Sequence, residues 1–345
     1  MFERCTLEQI RKGYQNRKNA KLFPTAEERE IWNALSERTK QAVLSNAEKY
    51  KDYELKMLTL EMYMDYFKTG GRQTYERPNF ERREALTALT LAECIENKRA
   101  YLSKIADILW AICEETTWSA PSHNYVLPDN ADVHVGCLPD PDKQIFDLFV
   151  GETGALLAWV LYLLRTKLDG ISPLLTQRVE KELQVRVICP YLECDTYLWM
   201  LYVLYDGVLI NNWTPWCTSN ALTTLLLTER DEEKCVKGIQ KALFSLEKFA
   251  ATYAEDGGCD EGPGYWNKAS GSLFDCLYLL WMISGGEINL FENNPKLRKM
   301  AGYIANVHIY EDHFVSYADG DEKCGIMPQK VYMFGKMTDN PSMVS

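Results

Sequence analysis

Histidine is scarce in this 345-residue chain, at four residues, and no basic run exceeds two residues. With a formal net charge of −11, the chain lacks the basic patch that a nucleic-acid surface needs. Long apolar runs are missing too. The longest, Ala155 to Leu164, has ten residues and ends at Arg165, which suits a buried core helix and no membrane span. The opening MFERCTLEQIRKGYQNRK is charged throughout and has no apolar h-region, so it does not read as a secretory signal. Cys-x-x-Cys pairs are absent from the 11 scattered cysteines. The closest pair, Cys189 and Cys194, has no Cys/His cluster to match it. This pattern points to reduced thiols, a cytoplasmic location and no structural zinc.

Hydrophobic residues make up 46% of the chain and aromatics 12%, enough to bury a large core. Strand-like alternation is nearly absent, and only His313 to Ala318 reads as extended. The remaining periodicity is helical. Helices are expected at about 6–20, 26–50, 53–68, 79–98, 101–115, 142–168, 173–187, 214–228 and 295–307. Another starts at Asp231, a candidate N-cap with Glu232 and Glu233 in the first turn, and carries Val236, Ile239, Leu243, Leu246 and Ala250 on one face. A further helix, through Leu273, Leu277, Leu280 and Trp281, stops at Gly285-Gly286. Residues 119–140 read as a polar, proline-containing loop. The fold class expected is all-α, with antiparallel hairpins packed into a bundle, a solenoid or an α/α toroid.

The most informative segment lies between two of these helices. Asp256-Gly257-Gly258-Cys259-Asp260-Glu261-Gly262-Pro263-Gly264-Tyr265-Trp266 gathers four glycines, three carboxylates and two aromatics. Glycine permits positive φ and close approach, while Pro263 fixes the start of the next helical turn. A helix connection alone needs fewer special residues, so the stretch reads as a functional loop with a polar, ring-lined rim.

This loop resembles that of the heparinase II/III-like family, whose members carry an α/α toroid followed by a β-sandwich. Two other segments carry the resemblance. Asn211-Asn212-Trp213-Thr214-Pro215-Trp216-Cys217 is similar to the asparagine-tryptophan segment about fifty residues before the family's glycine loop. The stretch from Trp110 through Glu114, Glu115, Trp118, Pro121, His123 and Asn124 is similar to the segment at the toroid mouth. The resemblance covers roughly 80–340. It implies an incomplete toroid over 76–340, an N-terminal helical segment over 1–75 packing on it, and lyase chemistry on uronic-acid-containing glycans. No run of alternating strands reads as the family's β-sandwich.

Eliminating a 4-linked uronate removes the C5 proton, expels the C4 oxygen and leaves a C4–C5 double bond. The barrier is the developing enolate, so a site needs donors for the carboxylate, a base, and an acid for the leaving oxygen. By resemblance Tyr265 is the general acid and a candidate base. Asn212 and Asn211 are the amide donors, Asn212 counted as catalytic and Asn211 as substrate-binding. Family members often pair asparagine with histidine there, and this chain has no histidine at that point, so His123 and Tyr265 both stand as candidate bases. Of the remaining histidines, His308 and His313 read as structural. Trp118, Trp213, Trp216 and Trp266 are candidate sugar-stacking rings, against the alternative of core packing. Glu261 and Glu115 are candidate hydroxyl-binding carboxylates. The expected partner is an acidic oligosaccharide or polysaccharide, with no nucleic acid, no membrane and no cofactor. Two alternatives stay open. One is a toroid glycoside hydrolase drawing two carboxylates from Asp256, Asp260, Glu114 and Glu115; the other is a non-catalytic carbohydrate-binding toroid.

Overall fold

The structure, a computed structural model, describes residues 2, 4–18, 20, 22–126, 138–140, 142–203 and 209–344. Among these the fold is all-α, with a single two-stranded ribbon. Packing divides the chain into two compact units made of interleaved stretches. The first comprises residues 1–22, 198–223 and 230–345; the second comprises 23–197 and 224–229. The boundary expected at residues 75 and 76 falls inside the second unit, within the first turn of α5 (Gln73–Glu96), on which α4 (Leu60–Thr69) packs.

In the second unit α5 is central. Helices α3 (Glu37–Glu48), α4, α6 (Leu102–Cys113) and α7 (Leu148–Asp169) pack on it, and α8 (Pro173–Leu183) packs on α6 and α7. Leu86, Leu89 and Ala92 of α5 and Leu157, Leu161, Leu164 and Leu168 of α7 are at most 1% exposed. Burying each leucine contributes about 1.5–3 kcal/mol. By length and composition alone the 22-residue α7 would suffice to cross a membrane, but 61% of its most apolar window is buried in the fold.

Local chemistry sets the helix ends. The helix expected over 26–50 is broken: α2 (Arg29–Asn33) stops, and Ser36 takes an extended ψ of 146° to cap α3 through Thr39 N–H. The start expected at 53 moves to Leu60, where Thr59 caps α4. The start expected near 142 moves to Leu148, because the Asp147 carboxylate accepts from Val150 N–H at 2.8 Å. Helix α8 passes through a π-turn, Gln184–Ile188, into α9 (Cys189–Glu193). Pro190 lies just beyond, and its missing N–H and bulky ring disfavour a regular α-turn there.

In the first unit α1 (Leu7–Asn16) packs on α11 (Glu232–Thr252) and α12 (Ser270–Ile283). Helix α12 packs on α13 (Pro295–Asn306), and α13 on α14 (Pro328–Met337). Helix α10 (Trp213–Thr228) gives this unit its residues up to Thr223. Asp231 caps α11 as expected, accepting from Lys234 N–H at 3.0 Å. The left-handed Gly285 and Gly286 end α12. The extended reading of 313–318 survives only at its start: β2 (His313–Phe314) pairs antiparallel with β1 (His308–Tyr310). Of the loop expected at 119–140, Pro121–His123 forms a 3-10 turn. Residues 127–137, with His134, lie outside the described residues.

Candidate functional site

The glycine loop of the first unit is held by close backbone contacts. Gly257 sits at φ +80, and a Cβ there would meet the Lys299–Met300 peptide at 2.4 Å; Gly262 sits at φ +88, where a Cβ would meet Tyr317 O at 2.5 Å. Only glycine fits both the dihedral and the space. The turn closes with Gly262 N–H donating to Cys259 O at 2.9 Å, and that carbonyl also accepts from the Tyr317 hydroxyl at 2.9 Å. Burial pushes the Cys259 thiol up to about 11, so it stays protonated at neutral pH and behaves as a packing group.

The asparagine-tryptophan segment is fastened to this loop by Glu261. Its carboxylate accepts from Asn212 Nδ2 at 2.6 Å and from Asn212 N–H at 3.2 Å. Burial holds the Glu261 carboxyl above the usual range. Asn212 pulls it down, and the nearby Asp319 and Asp260 push it up. Asn212 is only 4% exposed, and Glu261 takes its backbone N–H and one hydrogen of its amide, so in this arrangement it positions the segment. Asn211 is the outward-facing amide. It is exposed, its Oδ1 accepts from Trp213 N–H at 3.0 Å, and its Nδ2 has no hydrogen-bond partner among the described residues.

Tyr265 follows four residues after Glu261, in the 3-10 turn Pro263–Tyr265. Its backbone is fixed, since its carbonyl accepts from both Lys268 N–H and Ala269 N–H at 2.9 Å. The side chain is half-buried, and its hydroxyl has no hydrogen-bond partner among the described residues. Trp266, next in the chain, turns inward. Its ring is 0% exposed, packs beside Phe334 and donates Nε1–H to Met300 O at 2.9 Å. The stacking role expected of Trp266 gives way to core packing. Trp213 and Trp216 are half-buried, and the Lys268 ammonium lies 3.8 Å from the centre of the Trp216 ring. That contact is a cation–π pair on one of the expected sugar platforms.

The remaining candidates lie in the second unit. His123 is 8% exposed. Its Nδ1 is 2.8 Å from Asp147 Oδ2, which also accepts from the Ser119 hydroxyl at 2.9 Å. Phe149 stacks on the imidazole, with centroids 5.2 Å apart and planes at 2°. Asp147 thus caps α7 with one oxygen and orients a histidine with the other. Glu76 lies nearby, 3.4 Å from the Ser122 hydroxyl, and burial raises its carboxyl. Trp118 is 1% exposed, donates to Ile112 O at 2.9 Å and lies under the Arg186 guanidinium. It is another core ring and offers no face for a sugar. The Glu115 side chain is 3% exposed and clamped by Arg82 and Arg83, each at 2.6 Å. It is a structural counter-ion and leaves no lone pair facing a ligand.

Asp147, Lys268 and Tyr317 were not singled out by sequence reasoning; Asp147 carries the local signal of a helix N-cap, but nothing local marks its contact with His123, or the contacts of the other two. Their partners lie from 24 residues away, for Asp147 and His123, to 58 away, for Tyr317 and Cys259. Compared with models of known protein families and with curated proteins, the chain matches none.

Proposed function

We propose that this chain is a carbon–oxygen lyase of the α/α-toroid kind, cleaving uronic-acid-containing oligosaccharides by β-elimination, with Tyr265 as its proton-transfer residue. The observation that carries this reading is the double hydrogen bond from Asn212 to Glu261. It ties the asparagine-tryptophan segment to the glycine loop within one unit, while the Tyr265 hydroxyl has no partner among the described residues and the Asn211 amide is exposed. In this reading Asn211 Nδ2–H donates to the substrate carboxylate and helps delocalise the enolate charge. The Tyr265 hydroxyl gives its proton to the departing C4 oxygen as the same oxygen takes the proton from C5, so the tyrosine ends as it began. The C5–H and C4–O bonds break, the C4–C5 double bond forms, and no outside oxidant or reductant enters. His123 is not needed for this sequence, because Tyr265 fills both proton roles. The scattered cysteines, without Cys-x-x-Cys pairs, support a reducing, cytoplasmic setting.

The hydrolase alternative loses one of its carboxylates, since Glu115 is enclosed by two arginines. The test is a screen of uronate oligosaccharides followed by ultraviolet absorbance of the conjugated double bond. Absorbance should rise with wild type, and Tyr265→Phe should lower the rate about 10²–10⁴-fold. New reducing ends without absorbance, or full activity in Tyr265→Phe, would refute the reading.

A further inference from the structure

The second unit encloses three hydrogen-bond donors that the proposed lyase chemistry does not use. They are the Tyr53 hydroxyl, Asn79 Nδ2 and Arg82 Nε, and none has a hydrogen-bond partner among the described residues. Their residues are 7%, 4% and 4% exposed, and the three atoms themselves are shut off from solvent. Native interiors seldom leave a buried donor unpaired, because it has given up water and received nothing in return. Three in one neighbourhood call for an acceptor.

Asn79 and Arg82 stand three residues apart on the buried face of α5, so their side chains are neighbours. Tyr53 is carried to that face by its own segment. Lys56 O, three residues further on, accepts from Arg82 Nη2 at 2.7 Å, and Tyr53 O accepts from Lys104 Nζ at 3.0 Å. Burial raises the Tyr53 hydroxyl above its ordinary 10.0, and the Arg82 charge pulls it back down, as a guanidinium close by does.

The donor set favours an anion over a water. Asn79 Nδ2 and Arg82 Nε can only donate, and the Tyr53 hydroxyl can turn its hydrogen toward the same point. A water held by these groups would keep at least one of its own hydrogens without an acceptor. Charge points the same way. Arg82 and Arg83, with side chains 5% and 11% exposed, share the single carboxylate of Glu115, which leaves one enclosed positive charge over. Glu81 of the same stretch is engaged with Lys56 at 3.1 Å. In the planar guanidinium the Arg82 Nε–H points away from Nη1, the nitrogen that holds Glu115, so an acceptor at Nε does not face that carboxylate. With all three donor atoms closed to solvent, the acceptor has to be small.

We propose that Tyr53, Asn79 and Arg82 enclose a monatomic anion, chloride, which accepts from all three donors, balances the second guanidinium and fastens residues 53–56 to α5. The inference is independent of the lyase reading, because none of these residues belongs to the glycine-loop site.

Bromide locates the site and chloride measures it. Crystals of the full chain grown in sodium bromide should give an anomalous peak within hydrogen-bond reach of Tyr53 Oη, Asn79 Nδ2 and Arg82 Nε. In solution, thermal unfolding at pH 7 is followed in mixtures of sodium chloride and sodium gluconate at constant ionic strength, gluconate being too large to enter. Chloride should raise Tm by about 3–6 °C once it is about tenfold above its dissociation constant. Tyr53→Phe removes one donor and should move that response to at least about tenfold higher chloride, as expected for a hydrogen bond to a charged group. Asn79→Leu should do the same, and if it fails to fold, Tyr53→Phe, which deletes a single oxygen, still decides. No bromide at the three donors, no stabilisation by chloride over gluconate, or an unchanged chloride response in Tyr53→Phe would each overturn the proposal.

Discussion

Replacing Glu115 with glutamine should destabilise the second unit far more than the same change one residue earlier. The Glu115 carboxylate accepts from Arg82 Nη1 at 2.6 Å and from both terminal nitrogens of Arg83, at 3.0 and 2.6 Å. All three side chains are at most 11% exposed. In Glu115→Gln one oxygen becomes an NH₂ facing a guanidinium, donor against donor, and two enclosed cations lose the carboxylate they share. Leaving a buried charge without its partner costs about 3–5 kcal/mol. For a unit of this size that corresponds to a loss of about 6–20 °C in Tm. Glu114 is the internal control. Its side chain is 53% exposed and lies 3.4 Å from Arg178, so Glu114→Gln should cost less than about 1 kcal/mol. Urea unfolding at pH 7 followed by circular dichroism measures both. If Glu115→Gln stays within about 1 kcal/mol of wild type, or the two variants match, the assignment of Glu115 as a buried counter-ion is wrong. A carboxylate that served only to bind sugar would weaken ligand binding and leave the urea midpoint in place.

Three more expectations follow from the same geometry. Gly257→Ala places a Cβ in a left-handed residue 2.4 Å from the Lys299–Met300 peptide and should destabilise by at least about 2 kcal/mol in a urea titration; a neutral result would mean the loop is not pinned there. Asn212→Ala removes the 2.6 Å bond to Glu261 and should cost about 1–3 kcal/mol in stability, whereas Asn211→Ala should leave Tm unchanged and raise the KM for uronates; the reverse pattern would exchange the two assignments. The Glu76 carboxyl is raised above its ordinary 4.5 by burial, so the native state holds that proton more tightly than the unfolded chain. Its contribution to stability is therefore full below about pH 4.5 and fades as pH rises through the raised value. Glu76→Gln should flatten that fall in a series of denaturation curves, and an unchanged slope would show that Glu76 is not responsible for it.

What the sequence made legible was local. Asp231 ahead of Glu232 and Glu233, and Gly285-Gly286 after an apolar stripe, are signals within one turn of the helix they bound, and both act as expected. Ser36 carries the same kind of signal but lies inside an apolar period that continues across it, so 26–50 read as one helix. Glu114 and Glu115 look alike in sequence. Only the packing of α5 against α6 decides that one faces water and the other two arginines. Trp118 and Trp266 sit in motif-like surroundings, and their indole N–H partners, Ile112 O and Met300 O, are what place them in the core. The glycine loop was legible because positive φ and absent Cβ leave a compositional trace, whereas the pairing of Asp147 with His123, 24 residues away, leaves none.

The interleaving of the two units bears on the order in which the polypeptide acquires structure during synthesis. Residues 23–197 leave the ribosome as one stretch, so most of the second unit can collapse early. Helix α1 cannot do the same. Its buried Ile10 and Tyr14 wait for α11, which begins at Glu232, 216 residues after α1 ends at Asn16 (232 − 16). At roughly 5–20 residues per second that delay is about 10–45 s, during which a short amphipathic segment is left uncovered beside a nascent chain already folding downstream of it. The core of the first unit is therefore completed only when a helix made early meets one made late.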